Sequence, residues 1–479
     1  MKILKNGKDS FTLNSKGFEL LKNTGIIGLG KIGTYIVSFL LLPMYTLYLS
    51  PESYGNIELV NNYATLLVYI LTLQIEQGCF RYLIDIESKS EQGNKIISTS
   101  FIGLFIQMFI CTIIVLLCNI LFNIEYIFFI ILNAIGASIL TLLQQVSRGC
   151  GNNKAFAMSG FIATVVAMVC SCIGVVILKW DVEGVLFATS LSYFIAILYL
   201  VSKKYLIIRI SDFKWDTYIL ILKYSVPLIA NSISWWIFNV SDRSIINWVL
   251  GVSYTGIYSI ANKFPGIGMT MYSIFNMAWT ESVARNIGDK KDEKKFLTNS
   301  MAQVYGIFST IIFGLIAVMP IIFPILINQT YFEAYYQVPI LFLSVLSYSV
   351  SAMYGAVYIA LKRTKKIAWT SSLAAVLNIA VNMICIKSLG LYAASISTLA
   401  SYSLLAIYRM IDVKKELDIY IDKKIILLSI CTAILVVFLA YQKNMWYVFI
   451  NIGLVAVYCM VVNKGIIKSF SCILDRSRK

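Results

Sequence analysis

Charged residues set inside apolar stretches are the part of this sequence that can do chemistry. Lys31, Lys263, Glu58 and Glu76 fall within stretches that otherwise read as membrane helices, and Asp242-Arg243 stands at the edge of another. A charge at the centre of a bilayer-spanning helix costs about 2.5–3.5 kcal/mol on insertion scales, so such residues face a watered cavity or a partner. Buried ammonium groups in that setting bind anions. Carboxylates that move between water and a drier space can bind and release a proton or Na⁺. His is absent, which excludes imidazole catalysis, His-ligated metals and a His-based pH switch. Ten cysteines are scattered with Cys170 and Cys172 the only close pair and no CxxC, so neither a zinc site nor a disulfide framework is indicated. The expectation is therefore a protein without catalytic residues, metal or cofactor.

The elements that hold these charges follow from hydropathy. The 479 residues are 59% hydrophobic and 13% charged, with mean hydropathy +0.78, whereas soluble domains carry roughly 25% charged residues. Apolar segments at about 24–49, 58–79, 97–121, 124–147, 155–178, 184–202, 219–240, 254–281, 300–323, 337–361, 367–386, 390–408, 425–441 and 445–463 predict fourteen membrane spans. With the N-terminus cytoplasmic, 33 of the 40 Lys and Arg fall in the two tails and the loops on that side; Lys179, Arg243, Lys387 and Lys443 are opposite, and Lys31, Lys223 and Lys263 lie in spans. This is the positive-inside pattern, so both termini are expected in the cytoplasm and the net charge of +16 faces anionic lipid rather than nucleic acid.

Shifting the sequence by 201 residues superposes span 1 on span 7 and span 2 on span 8 without a gap: Leu21-Lys22 meets Leu222-Lys223, Leu49 meets Leu250, and Gly55 meets Gly256. An even number of crossings separates the pairs, so the repeats are parallel, about an axis along the membrane normal. The expected fold is all-α: two six-helix lobes plus two appended helices. The expected organisation is a tail (1–23), an N-lobe (24–202), a linker (203–218), a C-lobe (219–410), the added helices (411–463) and a basic tail (464–479).

Span 2 carries Glu58, Asn62, Thr65, Tyr69, Thr72 and Glu76 at spacings of 4, 3, 4, 3 and 4, one helical face. Span 8 repeats the pattern with Ser259, Lys263, Gly266, Thr270 and Ser273. Span 1 shows Lys31 and Tyr35; span 7 shows Trp235, Trp236 and Asn239, then Asp242-Arg243. Ser, Thr and Asn alone read as interhelical hydrogen-bond glue. The lysines are deeper: Lys31 lies about 10 Å beyond the cytoplasmic end of span 1 and Lys263 about 14 Å below the outer end of span 8, at 1.5 Å per residue. Gly28-Leu29-Gly30-Lys31-Ile32-Gly33 matches GxGxxG, but that motif binds dinucleotides only between a strand and a helix, and no strand pattern follows.

The stretch from Leu20 through Lys31 to SFLLLPMYTLYLSPESYGNIEL (38–59) resembles the Wzx-type polysaccharide flippases of the MOP exporter superfamily, as do KYSVPLIANSISWWIFNVSDRSIINWVLG (223–251), GIYSIANKF (256–264) and LKRTKK (361–366). The resemblance implies a two-lobed transporter in the bacterial inner membrane that moves undecaprenyl-pyrophosphate-linked oligosaccharides to the outer leaflet, alongside polysaccharide polymerase and chain-length partners. Such a substrate needs cations, hydrogen-bond donors and aromatic faces around a polar headgroup while its tail stays among membrane lipids. Lys31, Lys263 and Arg243 supply charge, Tyr35, Tyr69, Trp235 and Trp236 supply ring faces, and Asn62 and Asn239 supply amides. Glu58, Glu76 and Asp242 are the ion-coupling candidates, Glu58 first because repeat geometry sets it nearest Lys263. The alternatives are a multidrug or metabolite exporter of the same superfamily, for which an acidic cavity is expected, and a membrane enzyme of polysaccharide assembly, for which a large outer loop is expected. The charge partition makes its own prediction: reporter fusions at residues 289 and 330 should lie on opposite sides of the membrane, and the same side for both overturns the topology.

Overall fold

A computed structural model describes residues 28, 32–84, 86, 90–203, 208–286, 291–417 and 419–465. Among them the secondary structure is helical, without strands: α1 (Ile32–Tyr48), α2 (Pro51–Thr72), α3 (Ile75–Ile84), α4 (Glu91–Phe122), α5 (Ile127–Gly149), α6 (Asn153–Cys172, continued by a π-helical turn), α7 (Val182–Val201), α8 (Trp215–Val249), α9 (Val252–Asn286), α10 (Lys291–Leu326), α11 (Val338–Ala360), α12 (Thr364–Leu389), α13 (Leu391–Leu417), α14 (Lys423–Tyr441) and α15 (Met445–Val462). Ten of these are long and apolar enough to cross a membrane. The predicted spans that fall outside that set are the first, whose described helix Ile32–Tyr48 is apolar but short, and the second, seventh and eighth, which carry polar faces. Exposed Phe105, Phe109, Ile113 and Leu117 on α4 are typical of the rest: large side chains turned outward, as lipid contact requires. The chain is a multi-pass membrane protein.

Contacts divide it into two compact units, Met1–Ser38 with Val60–Ile233, and Phe39–Leu59 with Ser234–Lys479. The division runs through α1, α2 and α8, whereas the expected lobes meet in the 203–218 linker. That linker is bound into the first unit. The backbone N–H of Arg209 donates to Ser98 Oγ (3.1 Å), and that of Lys214 donates to Thr99 Oγ1 (3.2 Å), both on α4.

In the first unit α7 packs on α5 and α6, and α3 packs on α5 and α4. Span 2 is not one helix here. Leu73 and Gln74 both adopt left-handed backbone, φ 46° and 57°, and separate α2 from α3. Each such non-glycine residue costs about 1–2 kcal/mol, and the break frees backbone groups that hydrocarbon cannot satisfy. Thr72 meets that need in part: its Oγ1 accepts the Gln74 N–H at 3.1 Å. The polar stripe expected from Glu58 to Glu76 is therefore continuous only to Thr72, and Glu76 belongs to a separate helix.

In the second unit α11 is the central post, its apolar window 67% buried against 22% for α12. It packs on α9, α13 and α10. The α14–α15 hairpin is held at several points: Tyr335 OH donates to the Ala440 carbonyl, Tyr458 OH lies 2.7 Å from both Ser309 Oγ and Ser429 Oγ, and Asn463 Nδ2 donates to the Gly306 carbonyl (3.2 Å). The start of α2 crosses the start of α9 so closely that a methyl group on Gly55 would overlap the Val252 carbonyl oxygen, and one on Gly256 the Pro51 carbonyl oxygen. The two contacts are counterparts of each other, because the 201-residue offset carries Gly55 to Gly256 and Pro51 to Val252. Gly256→Ala should therefore destabilise the protein by about 1–3 kcal/mol, whereas Gly314→Ala, with no atom within 4 Å of the new methyl, should not. Thermal unfolding in detergent reads the difference, and equal midpoints would show that the close crossing is not there.

Candidate functional site

The crossing of α2 and α9 sets up the first charged cluster, within the second unit. One turn below Tyr54, Glu58 is 8% exposed. Its Oε1 accepts from Lys263 Nζ of α9 at 2.8 Å and from Tyr54 OH at 3.1 Å. Tyr54 packs edge-on to Tyr331, whose hydroxyl donates to the Leu49 carbonyl (3.1 Å), so the ring that orients Glu58 is itself fixed. Arg243 on α8 attracts both Glu58 and Asp242. Two cations and two anions thus neutralise one another at membrane depth, as charges in spans do.

Asp242 follows on α8 and is 6% exposed. Its Oδ1 accepts from Asn382 Nδ2 (2.9 Å), and its Oδ2 from Thr398 Oγ1 (2.8 Å) and Tyr258 OH (3.4 Å). Asn378, one turn before Asn382 on α12, donates to Thr398 Oγ1 at 3.2 Å. The Oδ1 atom of Asn382 is buried without a hydrogen-bond partner. Carboxylate, amide and hydroxyl oxygens together form a hard donor set, suited to a proton or an alkali cation and not to a soft transition metal. Sequence reasoning found Asp242 but missed Asn378, Asn382 and Tyr258. The signal was there: two asparagines four residues apart, hence on one face, in an otherwise apolar span.

A buried cation was missed as well. Arg409 on α13 is 4% exposed and bonds Thr370 Oγ1, Ser371 Oγ and the Ser351 and Ile367 carbonyls, all neutral acceptors, tying α11, α12 and α13 together. One turn on, Asp412 accepts from Lys366 (2.9 Å) and Tyr358 OH (2.6 Å).

The first unit holds Tyr35, Asn62 and Tyr69, all half-buried, and Glu76, which is 2% exposed. Trp236 is half-buried on α8 in the second unit. Lys31 lies outside the described residues, as do the side chains of Trp235 and Asn239. Of the candidate residues, then, the structure brings together Glu58, Lys263, Arg243 and Asp242.

The family described as polysaccharide biosynthesis protein matches residues 20–283, more than half of the chain and all four helices with polar faces. No curated protein matches the sequence. Among solved structures, the inward-facing conformation of a multidrug resistance MATE family transporter of the MOP superfamily is similar with TM-score 0.67 and 15% identity, over 82% of this chain and 98% of that one. The lipid II flippase MurJ in its inward closed conformation is similar with TM-score 0.65 and 15% identity, over 94% of this chain and 99% of that one. An outward-facing MATE conformation gives TM-score 0.56 at 14% identity, over 83% and 96%. At these identities the likeness establishes the fold.

The Glu58–Lys263 pair makes a measurable prediction. Thermal unfolding of Glu58→Gln, Lys263→Met and the double variant should give a coupling energy of about 0.5–3 kcal/mol. Strict additivity would show that the two groups do not interact.

Proposed function

Because the chain belongs to the polysaccharide biosynthesis protein family, we propose that it is a Wzx-type flippase, which carries undecaprenyl-pyrophosphate-linked oligosaccharide units from the inner to the outer leaflet of the bacterial cytoplasmic membrane. It is a transporter and not an enzyme in this reading, with both termini in the cytoplasm. It would deliver its cargo to polysaccharide polymerase and chain-length partners. The observation that carries the reading is the family match over residues 20–283, which takes in the polar-faced helices. The exporter alternative shares the fold, but the family and the basic balance of the span lysines favour an anionic glycolipid.

The chemistry is that of a headgroup bound by charge and released by competition. Lys31 and Arg243 offer cations to the pyrophosphate, and Lys263 does so when its ammonium exchanges Glu58 for phosphate oxygens. Lysine binds phosphate as a compact charge with three donors, so such an exchange needs no fixed geometry. Tyr35, Tyr69, Trp235 and Trp236 offer ring faces to sugars, and Asn62 and Asn239 offer amides. We place ion coupling on Asp242 ahead of Glu58, because Glu58 is hydrogen-bonded to a cation at 2.8 Å, whereas the hydrogen bonds to Asp242 described above come from an amide and two hydroxyls.

Complementation of a flippase-deficient strain tests this reading, with membrane levels of each variant measured. Lys31→Ala and Lys263→Ala should lose most of the surface polysaccharide, and Lys31→Arg and Lys263→Arg should keep it. Full activity of both alanine variants at normal levels would remove these lysines from the mechanism.

A further inference from the structure

Glu76 is the carboxyl group that the charge cluster does not use, and its surroundings differ from those of Glu58 and Asp242. It is the second residue of α3, directly after the break at Leu73–Gln74, and is 2% exposed. Leu71, Ile75, Cys79 and Leu83 around it are completely buried. One of its oxygens is served by its own backbone N–H and by the Thr72 hydroxyl. The other, Oε2, is buried and has no hydrogen-bond partner. A fully buried ionised oxygen without a donor or a cation is among the most unfavourable arrangements a folded chain can hold, and the usual escape is for the group to become neutral.

Among the described residues, the groups that face it do not supply a cation. Tyr69 on α2 and Cys79 one turn along α3 are the titratable neighbours. From α4 comes Ser100, opposite Cys79, while Lys95 farther along that helix pairs with Glu91 at 2.6 Å. From α5 comes Arg148, whose guanidinium lies over the Phe80 ring at 4.5 Å and donates to Gln145 Oε1 at 3.1 Å. On α8, Ile221 and Ser225 pack against Gly78, and Lys223 is exposed, as is Arg81 on α3 itself.

We propose that Glu76 is a proton-binding site of the first unit, loaded in the conformation seen here, and that the Leu73–Gln74 break is the element through which it loads and empties. The break contains neither glycine nor proline, so nothing local in the sequence compels it, and two successive left-handed residues persist only where the surroundings hold them. Thr72 is the hinge pin, accepting the Gln74 N–H while serving the carboxyl. At the start of α3 the N–H groups of Gln77 and Gly78 donate to the Gln74 carbonyl and that of Glu76 serves its own carboxyl, so the helix start favours a negative charge beside it. Admission of water therefore lets Glu76 release its proton to that water, with the carboxylate held by the helix start. Closure makes the charge untenable and takes a proton back.

The proposal rests on the transport reading only for what the proton does, so the test needs no substrate. The full-length protein in phosphatidylethanolamine–phosphatidylglycerol liposomes is treated with dicyclohexylcarbodiimide, which adds to a protonated carboxyl in apolar surroundings, and the adduct is located by peptide mass spectrometry. Glu76 should be labelled, with yield falling about tenfold per pH unit above its titration midpoint. Na⁺ at constant pH should leave the yield unchanged, and Asp242→Asn should leave Glu76 labelled. Glu76→Gln should lose the adduct while keeping its thermal midpoint; if that variant fails to fold, the pH profile of the unmodified chain decides alone. Absence of an adduct at Glu76, a yield flat in pH, or protection by Na⁺ each overturns the proposal. A failed complementation together with a pH-dependent Glu76 adduct would reject the flippase reading and leave the proton site standing.

Discussion

The Glu58 carboxylate and the Lys263 ammonium meet at 2.8 Å although 205 residues separate them in the chain. In hydrocarbon neither charge is tolerable alone, so the pair requires α2 and α9 to cross within reach of a lysine side chain. The glycines permit it. Gly55 and Gly256 let the two backbones approach until a single methyl group would overlap a carbonyl oxygen, and they stand one turn ahead of Glu58 and two turns ahead of Lys263 respectively. Close approach, ion pair and the Tyr54–Glu58 hydrogen bond are therefore one construction. Small residues bring the helices together, and the charges then fix which faces meet.

The Arg409 end of the second unit solves the same problem with neutral acceptors. Arg409 distributes its guanidinium over hydroxyls and carbonyls from three helices. Hydrogen bonds to a charged donor are worth more than neutral ones, and here they also pin α11, α12 and α13 at a common level. With the hairpin α14–α15 anchored through Tyr335, Tyr458 and Asn463, the second unit has polar fastenings at separated points along otherwise apolar helices.

How much of this was legible in the sequence depended on which physical signal each residue carries. Helix positions followed from hydropathy, because membrane length and backbone satisfaction leave few alternatives. Glu58 and Lys263 were legible because a charge in an apolar run is conspicuous and because the 201-residue offset aligned their helices. Asn378 and Asn382 were passed over, since a neutral amide in a span reads as packing glue until a carboxylate is seen beside it. Arg409 was counted among cytoplasmic charges because the apolar run ends at 408, whereas the helix continues to Leu417 and carries the arginine into the core. The break at Leu73–Gln74 had no signal at all: both residues suit a helix, and only the fold holds them in the left-handed region.

Among the described residues three carboxyl groups are buried, Glu58, Asp242 and Glu76, and their surroundings differ in ways that decide what each can do. Glu58 leans on a cation, so neutralising it would strand the Lys263 charge in an apolar setting; that coupling favours constancy. Asp242 leans on Asn382, Thr398 and Tyr258, whose hydroxyl and amide groups lose no charge balance when the carboxyl gains a proton or a cation. Hydrogen bonds from neutral groups therefore tolerate a change of charge that a contacting ammonium resists, while Arg243 also attracts this carboxylate. Glu76 goes further, since one of its oxygens has no donor at all and its helix begins at a strained break. Moving from a contacting ion pair to hydrogen bonds from neutral groups to an orphaned oxygen, the cost of altering the charge falls, and the capacity to exchange an ion with the surroundings rises in the same order.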